Sequence, residues 1–406
     1  MTYFWIIGGG LLQVPLIEEV QKLGYETLVT DGNPNCICST LATTFYALDI
    51  FDIPAHITLA DTLIQQGHNI HAVLAAGIDA PETMARLTDH LKLPGVSTEI
   101  AHLVNNKDLF RQKMQSLDLP KPKFKSIGQE DLPNLQVISQ EIGYPLIIKN
   151  TSSSGSRGSK LFESENLEDM REITQQAIAV SRSKKALIES AWQGSEHTVE
   201  TLFDCNGNFH RAFITDRLFD KSNGFPLETG LIHPSQLPEN VQNNMCAIAE
   251  DVARKIGITI GAAKYDMINT PEGPRIIEMT VRLSGGFDCQ YLVPAATGKN
   301  ILKAAALTAL GKLFDPQLLQ PSKNRVGLSE SLWPKPGIFK ELQGIETAKK
   351  LPGFEHLFLR YAPGDTIEPY IDCTKRFCFI IASGTTLEEA TQNMNRIKNT
   401  LKVITE

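Results

Sequence analysis

Along the first ninety residues, apolar and polar positions follow two alternating rhythms. Tyr3–Ile7 is an unbroken apolar run, read as a buried strand. Gly8-Gly9-Gly10 turns it into Leu12–Leu23, where apolar residues recur at helical spacing until Gly24. Glu26–Thr30 is a second strand, closing on the turn residues Asp31-Gly32-Asn33-Pro34. Val73–Ala75 is another, followed by Asp79-Ala-Pro-Glu82, an N-cap with an acid three places on, and a helix to Leu91. Strands alternating with helices predict a parallel sheet covered on both faces. The glycine run does not fit Gly-x-Gly-x-x-Gly in register, so it reads either as a tight turn or as backbone beside a ligand.

From about residue 107 the rhythm changes. A helix is expected at Lys107–Leu117, then a break at Leu119-Pro-Lys-Pro122, a helical stretch to Gly143 and a strand at Leu146–Asn150. Strands follow at Ala186–Ser190, Glu196–Phe203 and Phe209–Phe219, the last two joined by an Asn206-Gly207 turn. A helix at Pro238–Lys255 precedes a hairpin at Ala262–Arg282. Beyond Pro321 a small α+β unit has a strand at Phe377–Ser383 and a helix from Thr386 to about Asn399.

The chain's 406 residues are enough for two to four domains, and 42% hydrophobic with 21% charged residues describe an ordinary globular protein. Lys and Arg number 39 against 46 Asp and Glu, a net charge of −7 without a basic block, which argues against a nucleic-acid partner. No apolar run approaches the ~18 residues of a membrane span. Met1-Thr-Tyr-Phe-Trp-Ile-Ile lacks the charged start of a leader, and the seven cysteines follow no zinc or disulfide spacing. A cytoplasmic protein without a membrane partner is expected.

The hairpin from Lys264 to Arg282 carries the sharpest chemistry. With the turn centred on Glu272, Asp266 faces Glu278 and Lys264 faces Thr280. Period-2 alternation puts Lys264, Asp266, Glu278, Thr280 and Arg282 on one face, and Tyr265, Met267, Ile277, Met279 and Val281 on the other. Opposed carboxylates repel unless a cation lies between them, and two hard oxygen ligands suit Mg²⁺. The bland alternative is a solvated charged face. Lys149 interrupts an otherwise buried strand, where an ammonium needs an anion. The Ser/Gly stretch after it, with Arg157 and Lys160, is either a loop closing on a polyanion or a flexible linker. Lys107 opens a helix, where the macrodipole favours acids, and Asp108 offsets it. Glu189 through Glu196 joins two strands, and is either a nucleotide edge or a pair of surface acids. His197 and His233 have no metal-ligand spacing and read as structural or surface residues.

In chain order these residues resemble the ATP-grasp superfamily, in its carboxylate–amine ligase branch of L-amino-acid ligases, carnosine-synthase-type enzymes and biotin-carboxylase-like proteins. The resemblance implies a Rossmann-like pre-ATP-grasp domain at 1–106. A two-lobed ATP-grasp domain follows at 107–314 with its lid lobe at about 120–190, and a small β-rich α+β domain at 315–406. It implies ATP held by Lys107 and Lys149, by Ser154, Gly155 and Ser156 of the lid loop, by Glu189, Ala191 and Trp192 at the adenine, and by Glu196 at the ribose. It also implies Mg²⁺ or Mn²⁺ on Asp266, Glu278 and Thr280, with Arg282 and Lys264 as catalytic cations. Glu228-Thr-Gly230 and His233-Pro234 resemble a substrate-proximal stretch. Thr280 departs from the family's Glu-x-Asn-x-Arg, which weakens the second metal position. The activity implied joins a small carboxylate to an amine through an acyl phosphate. A biotin-carboxylase-like or purine-pathway enzyme and a non-catalytic ATP-binding regulator are the alternatives. Homodimers are common in this superfamily.

Overall fold

The computed structural model describes residues 1–152 and 158–406. The first unit is a parallel sheet in the order Thr44–Ala47, Glu26–Asp31, Thr2–Ile7, Asn69–Leu74. Its central strand is apolar throughout because both faces are covered. Phe4 and Ile6 pack with Leu16 and Val20 of helix Val14–Lys22. Tyr3, Trp5 and Ile7 pack with Ala60 and Leu63 of helix Ile53–Gln65 and with Leu87 of helix Pro81–Leu91. The strand at 44–47 and the helix at 53–65 are not evident from periodicity: the strand holds two half-buried and two exposed residues. Asp79 does not cap the following helix. That helix starts at Pro81 with Ala80 as its N-cap, and Asp79 instead pairs with Arg282 at 3.3 Å.

A four-stranded antiparallel sheet follows, ordered Phe124–Ile127, Ala186–Ser190, Leu146–Asn150, Lys160–Phe162. Helices Leu135–Ile142 and Leu167–Val180 back it. Residues 124–127 are strand where a helical stretch is expected, since pairing with Ala186–Ser190 recruits a segment too short to show a period.

The third layer is an eight-stranded antiparallel sheet. Its order is Gly273–Thr280, Gly261–Thr270, Ser195–Phe203, Phe209–Asp220, Leu227–His233, Val326–Glu330, Cys378–Gly384, Phe354–Leu359. It runs without a break across residue 315, because Leu227–His233 pairs directly with Val326–Glu330. The C-terminal segment is therefore continuous with the sheet that carries the hairpin. A small three-stranded sheet, with Gly337–Gln343 at its centre, completes the C-terminal part.

The parallel-sheet unit meets the hairpin at a seam of glycines. Ala76 bridges to Leu283, and the Gly77 N–H donates to the Leu283 carbonyl at 3.1 Å. Gly77 has φ +71°, and a Cβ there would stand 2.7 Å from the Cα of Gly285. Only glycine admits this approach, which brings the first unit to the rim of the cavity described next.

Candidate active site

The parallel sheet and the two larger antiparallel sheets line an open cleft of about 870 Å³. Its wall includes the end of the hairpin, and the register there is the expected one: Lys264 opposite Thr280, Tyr265 opposite Met279, Asp266 opposite Glu278. The turn is tighter than expected, with Thr270 opposite Gly273, and a bulge beyond Asp266 restores the pairing. That bulge changes one side chain. Ile276 takes the core position beside Met267 and Met279, whereas Ile277, expected on the apolar face, lines the cavity.

Asp266 and Glu278 both line the cavity, each already next to cations. Lys264 contacts Asp266, Arg217 reaches it at 2.9 Å, and Lys107 lies 3.2 Å from Glu278. Burial alone would raise the Glu278 carboxyl, but Lys107, Lys264 and Lys149 together hold it well below the usual carboxylate range. The two facing carboxylates are a hard-oxygen donor set, which fits Mg²⁺. Among the described residues no cluster of three or more His, Cys, Asp or Glu could hold a metal, so further ligands would come from phosphate oxygens and water. Thr280 is not on this wall. It lines a smaller neighbouring cavity with Lys107, Glu278 and Asn105.

Lys149 meets its anion. Its ammonium lies 2.6 Å from Glu189, and the guanidinium of Arg111 lies 2.5 Å from the same carboxylate. All three side chains are almost wholly buried and line the cavity. Burial would raise Glu189, but Arg111 and Lys149 hold it below its ordinary value. Burial lowers Lys149, with Glu189 opposing and Arg111 adding to the shift. Glu189 is accordingly not a surface acid. At the strand exit the Ala191 N–H donates to the Pro145 carbonyl at 2.8 Å, so it is already used within the sheet; Trp192 follows on the cavity wall. Glu196 also lines the cavity and pairs with Lys221 at 2.6 Å. Lys160 is turned to Asp169 at 2.6 Å and is not on the cavity wall. Ser154, Gly155, Ser156 and Arg157 lie outside the described residues.

Two cations of the cavity, Arg217 and Arg376, are not singled out by the sequence. Arg217 bonds Glu228 at 2.8 Å, and Arg376 bonds the same carboxylate at 3.1 Å from the C-terminal segment. Burial opposes ionisation of Glu228, but Arg217 and then Arg376 bring it down to about 2. Arg282 lines the cavity and is held by Asp79 and by the Leu283 carbonyl at 3.1 Å. His197 bonds Asp216 at 2.8 Å, and burial pushes His233 down to about 3, so both are structural. A sequence signal for Arg217 and Arg376 would have been a cation in a strand or loop otherwise rich in buried residues.

Two buried acids stand apart. Glu200 accepts the Ser284 N–H with both oxygens, at 3.2 and 3.1 Å, and Asp288 accepts the Thr215 hydroxyl at 3.1 Å. Burial, reinforced by Asp288, raises Glu200 to about 8; burial, with Glu228 adding, raises Asp288 to about 7. Both therefore hold protons in the folded chain to a higher pH than in the unfolded one. The stability they contribute is full below pH ~4 and lost as pH rises through about 7 to 8. Urea unfolding of the ligand-free protein should show stability falling between pH 5 and pH 8, on the order of 3 kcal/mol. Asp288→Asn should flatten that slope, and an equal slope in the variant would refute the assignment.

Residues 106–316 match the family model for the carbamoyl-phosphate synthase L chain, ATP binding domain, and residues 331–406 that for L-amino acid ligase C-terminal domain 2. The carbamoyl phosphate synthase large chain of Archaeoglobus fulgidus is 28% identical over 308 residues, which is 73% of this chain but only 28% of that longer relative. An L-amino acid ligase from Bacillus licheniformis superposes with a TM-score of 0.83 at 21% identity, covering 100% of this chain and 99% of its own. The N5-carboxyaminoimidazole ribonucleotide synthetase of Thermotoga maritima superposes at 0.73 with 17% identity and complete coverage of both chains. At such identities these likenesses establish the fold, which is that of ATP-grasp proteins. Among the described residues no helix is long and apolar enough to cross a membrane.

Proposed function

The chain belongs to the carbamoyl-phosphate synthase L chain ATP-binding family of ATP-grasp proteins, and from that premise we propose that it is an ATP-dependent carboxylate–amine ligase. The observation that carries the reading is the Asp266–Glu278 pair on the wall of a cavity that also presents Lys107, Lys149, Lys264, Arg217 and Arg282. An anionic nucleotide and an ionised carboxylate repel each other, and such a set of cations is what brings them together.

Lys107 and Lys149 would hold phosphate oxygens, Lys149 exchanging part of its contact with Glu189 for them. Mg²⁺ or Mn²⁺ on Asp266 and Glu278 would supply charge neutralisation between phosphates. Trp192 and Glu196 would flank the base and ribose. A substrate carboxylate oxygen attacks the γ-phosphorus, the bond to the bridging oxygen breaks, and ADP leaves. Lys264 and Arg282 offset the charge on the resulting acyl phosphate. An amine then attacks the acyl carbon, phosphate departs with the bonding pair, and the amine's proton passes to a base. The acyl phosphate forms between the sheets, at the base of the cleft, which limits competition from water.

In the same proposal the units are 1–106, 107–314 with the lid lobe at about 120–190, and 315–406. The enzyme is cytoplasmic, and its partners are small carboxylates and amines. The test is nucleotide turnover by the purified chain with ATP, Mg²⁺ and amino-acid pools, with ADP resolved from AMP. ADP and phosphate that appear only with certain pools are expected. AMP and pyrophosphate would overturn the mechanism. ADP that depends on bicarbonate would move the chain to the carboxylase alternative, and tight ATP binding without turnover in any pool to the regulator.

A further inference from the structure

One stretch of the cavity wall is of no use to a nucleotide or a metal. Leu11, Leu12, Leu231, Phe287 and Phe379 all face the cavity and pack into a single apolar cluster, although four separate chain segments contribute them. The rings are fixed in place. Phe287 meets Phe379 edge-on at 4.7 Å and stacks on Phe358 at 4.2 Å. Phe287 also sits in the left-handed region at φ +63°, a conformation that costs a bulky residue on the order of 1 kcal/mol and persists only where surrounding packing enforces it. Leu11 and Leu12 are held from the other side. Their neighbour Gln13 bonds the Ala76 carbonyl with its amide N–H and accepts the Ala76 N–H at 3.0 Å.

Charge borders this wall. Asp288 follows Phe287 directly, is buried, and faces the cavity with one hydrogen bond from Thr215. The Arg376 guanidinium lies 4.7 Å over the Phe379 ring and is tied to Glu228. An apolar surface beside a buried carboxylate suits a ligand with a large hydrocarbon group next to a cation.

Resting on the ligase reading above, we propose that the substrate activated in this cavity is an α-amino acid with a large apolar side chain. The side chain packs on Leu11, Leu12, Leu231, Phe287 and Phe379, and the ammonium is met by Asp288. The carboxylate of the same molecule is then directed to the Arg282 and Lys264 side, where phosphate is transferred. A methylene in such a pocket discriminates by about an order of magnitude, so a benzyl or isobutyl group should be preferred over a methyl group by roughly 10–100-fold in kcat/KM.

The test measures ADP release with each amino acid singly and in pairs, on the full chain with ATP and Mg²⁺. Phenylalanine, leucine and methionine are expected to exceed alanine, glycine, aspartate and lysine. Leu11→Arg, at a half-buried position opening the short 3-10 helix Leu11–Gln13, should reduce that preference about tenfold and improve the relative use of glutamate. For Asp288→Asn, the loss should be at least tenfold greater with L-phenylalanine than with 3-phenylpropionate, which lacks the ammonium. A loss of fold would affect both equally. Preference for charged or small side chains, an unaltered ranking in Leu11→Arg, or equal losses on the two phenyl substrates would overturn the proposal and leave the ligase reading standing. No ADP from any carboxylate would instead remove the ligase reading, and this proposal with it.

Discussion

Glu278→Ala should lower ADP release by at least about 10³-fold while the chain remains folded. The size of the effect follows from what Glu278 does in the cavity. It is one of two carboxylates that face each other across the hairpin, and three lysines keep it ionised. Without it, a divalent ion would keep a single carboxylate ligand, and Asp266 is already shared between Lys264 and Arg217. Stabilisation of the transferring phosphoryl group is the main catalytic resource in such chemistry, so its loss falls on kcat. Folding should be little affected, because the Glu278 side chain is one-third exposed and its partner Lys107 can be hydrated. Thr280→Ala is the matched control. Its hydroxyl lines the smaller cavity, and its removal should cost less than about tenfold. Turnover by Glu278→Ala within tenfold of the parent chain would remove the metal assignment, and equal losses at 278 and 280 would restore Thr280 as a ligand.

The second large effect concerns stability. Glu189→Leu should destabilise the chain by about 3–5 kcal/mol in urea unfolding, since it leaves two buried cations facing each other. Arg111 and Lys149 both approach that carboxylate closely, and at 2% and 7% exposure each depends on it as its main counter-charge. Arg111 would keep the Ile277 carbonyl as a partner, but a neutral acceptor does not replace a carboxylate. Replacing all three by apolar residues of similar size, as Arg111→Met, Lys149→Met and Glu189→Leu together, should recover most of the lost stability and leave no ATP turnover. Buried ion triads often exchange for hydrocarbon at little cost, whereas a phosphate-binding lysine does not. If the single variant were as stable as the parent, the charge network would not be holding the two lobes' walls as described.

How much of this site could be read beforehand depends on how local its causes are. The facing of Asp266 and Glu278 was legible because a hairpin's register follows from its alternation, and Tyr265 and Met279 must both reach the core. Even so, the tighter turn and the bulge offset one another, and that compensation is invisible to a rule that counts from the turn. The bulge sends Ile277 into the cavity and Ile276 into the core, which alternation cannot anticipate. Lys149 announced itself as a charge inside a buried strand, and the requirement for an anion followed from desolvation alone. The identity of that anion did not, because Glu189 lies forty residues away on a neighbouring strand.

The same division holds for the whole chain. Hydrophobic periodicity, turn residues and the order of Lys149, Asp266, Glu278 and Arg282 are properties of short segments, and they sufficed for the parallel sheet, the hairpin and the ATP-grasp resemblance. The assembly of the cavity was a matter of long-range packing. Arg376 reaches Glu228 across 148 residues, the sheet continues through the boundary expected at 315, and Gly77 closes against Gly285. Asp79 illustrates the point most simply: its local context is that of a helix cap, but Arg282, brought 3.3 Å away by the glycine seam, is the stronger attraction. Local propensities are worth tenths of a kcal/mol to about one, whereas desolvated charges must find partners wherever the fold presents them.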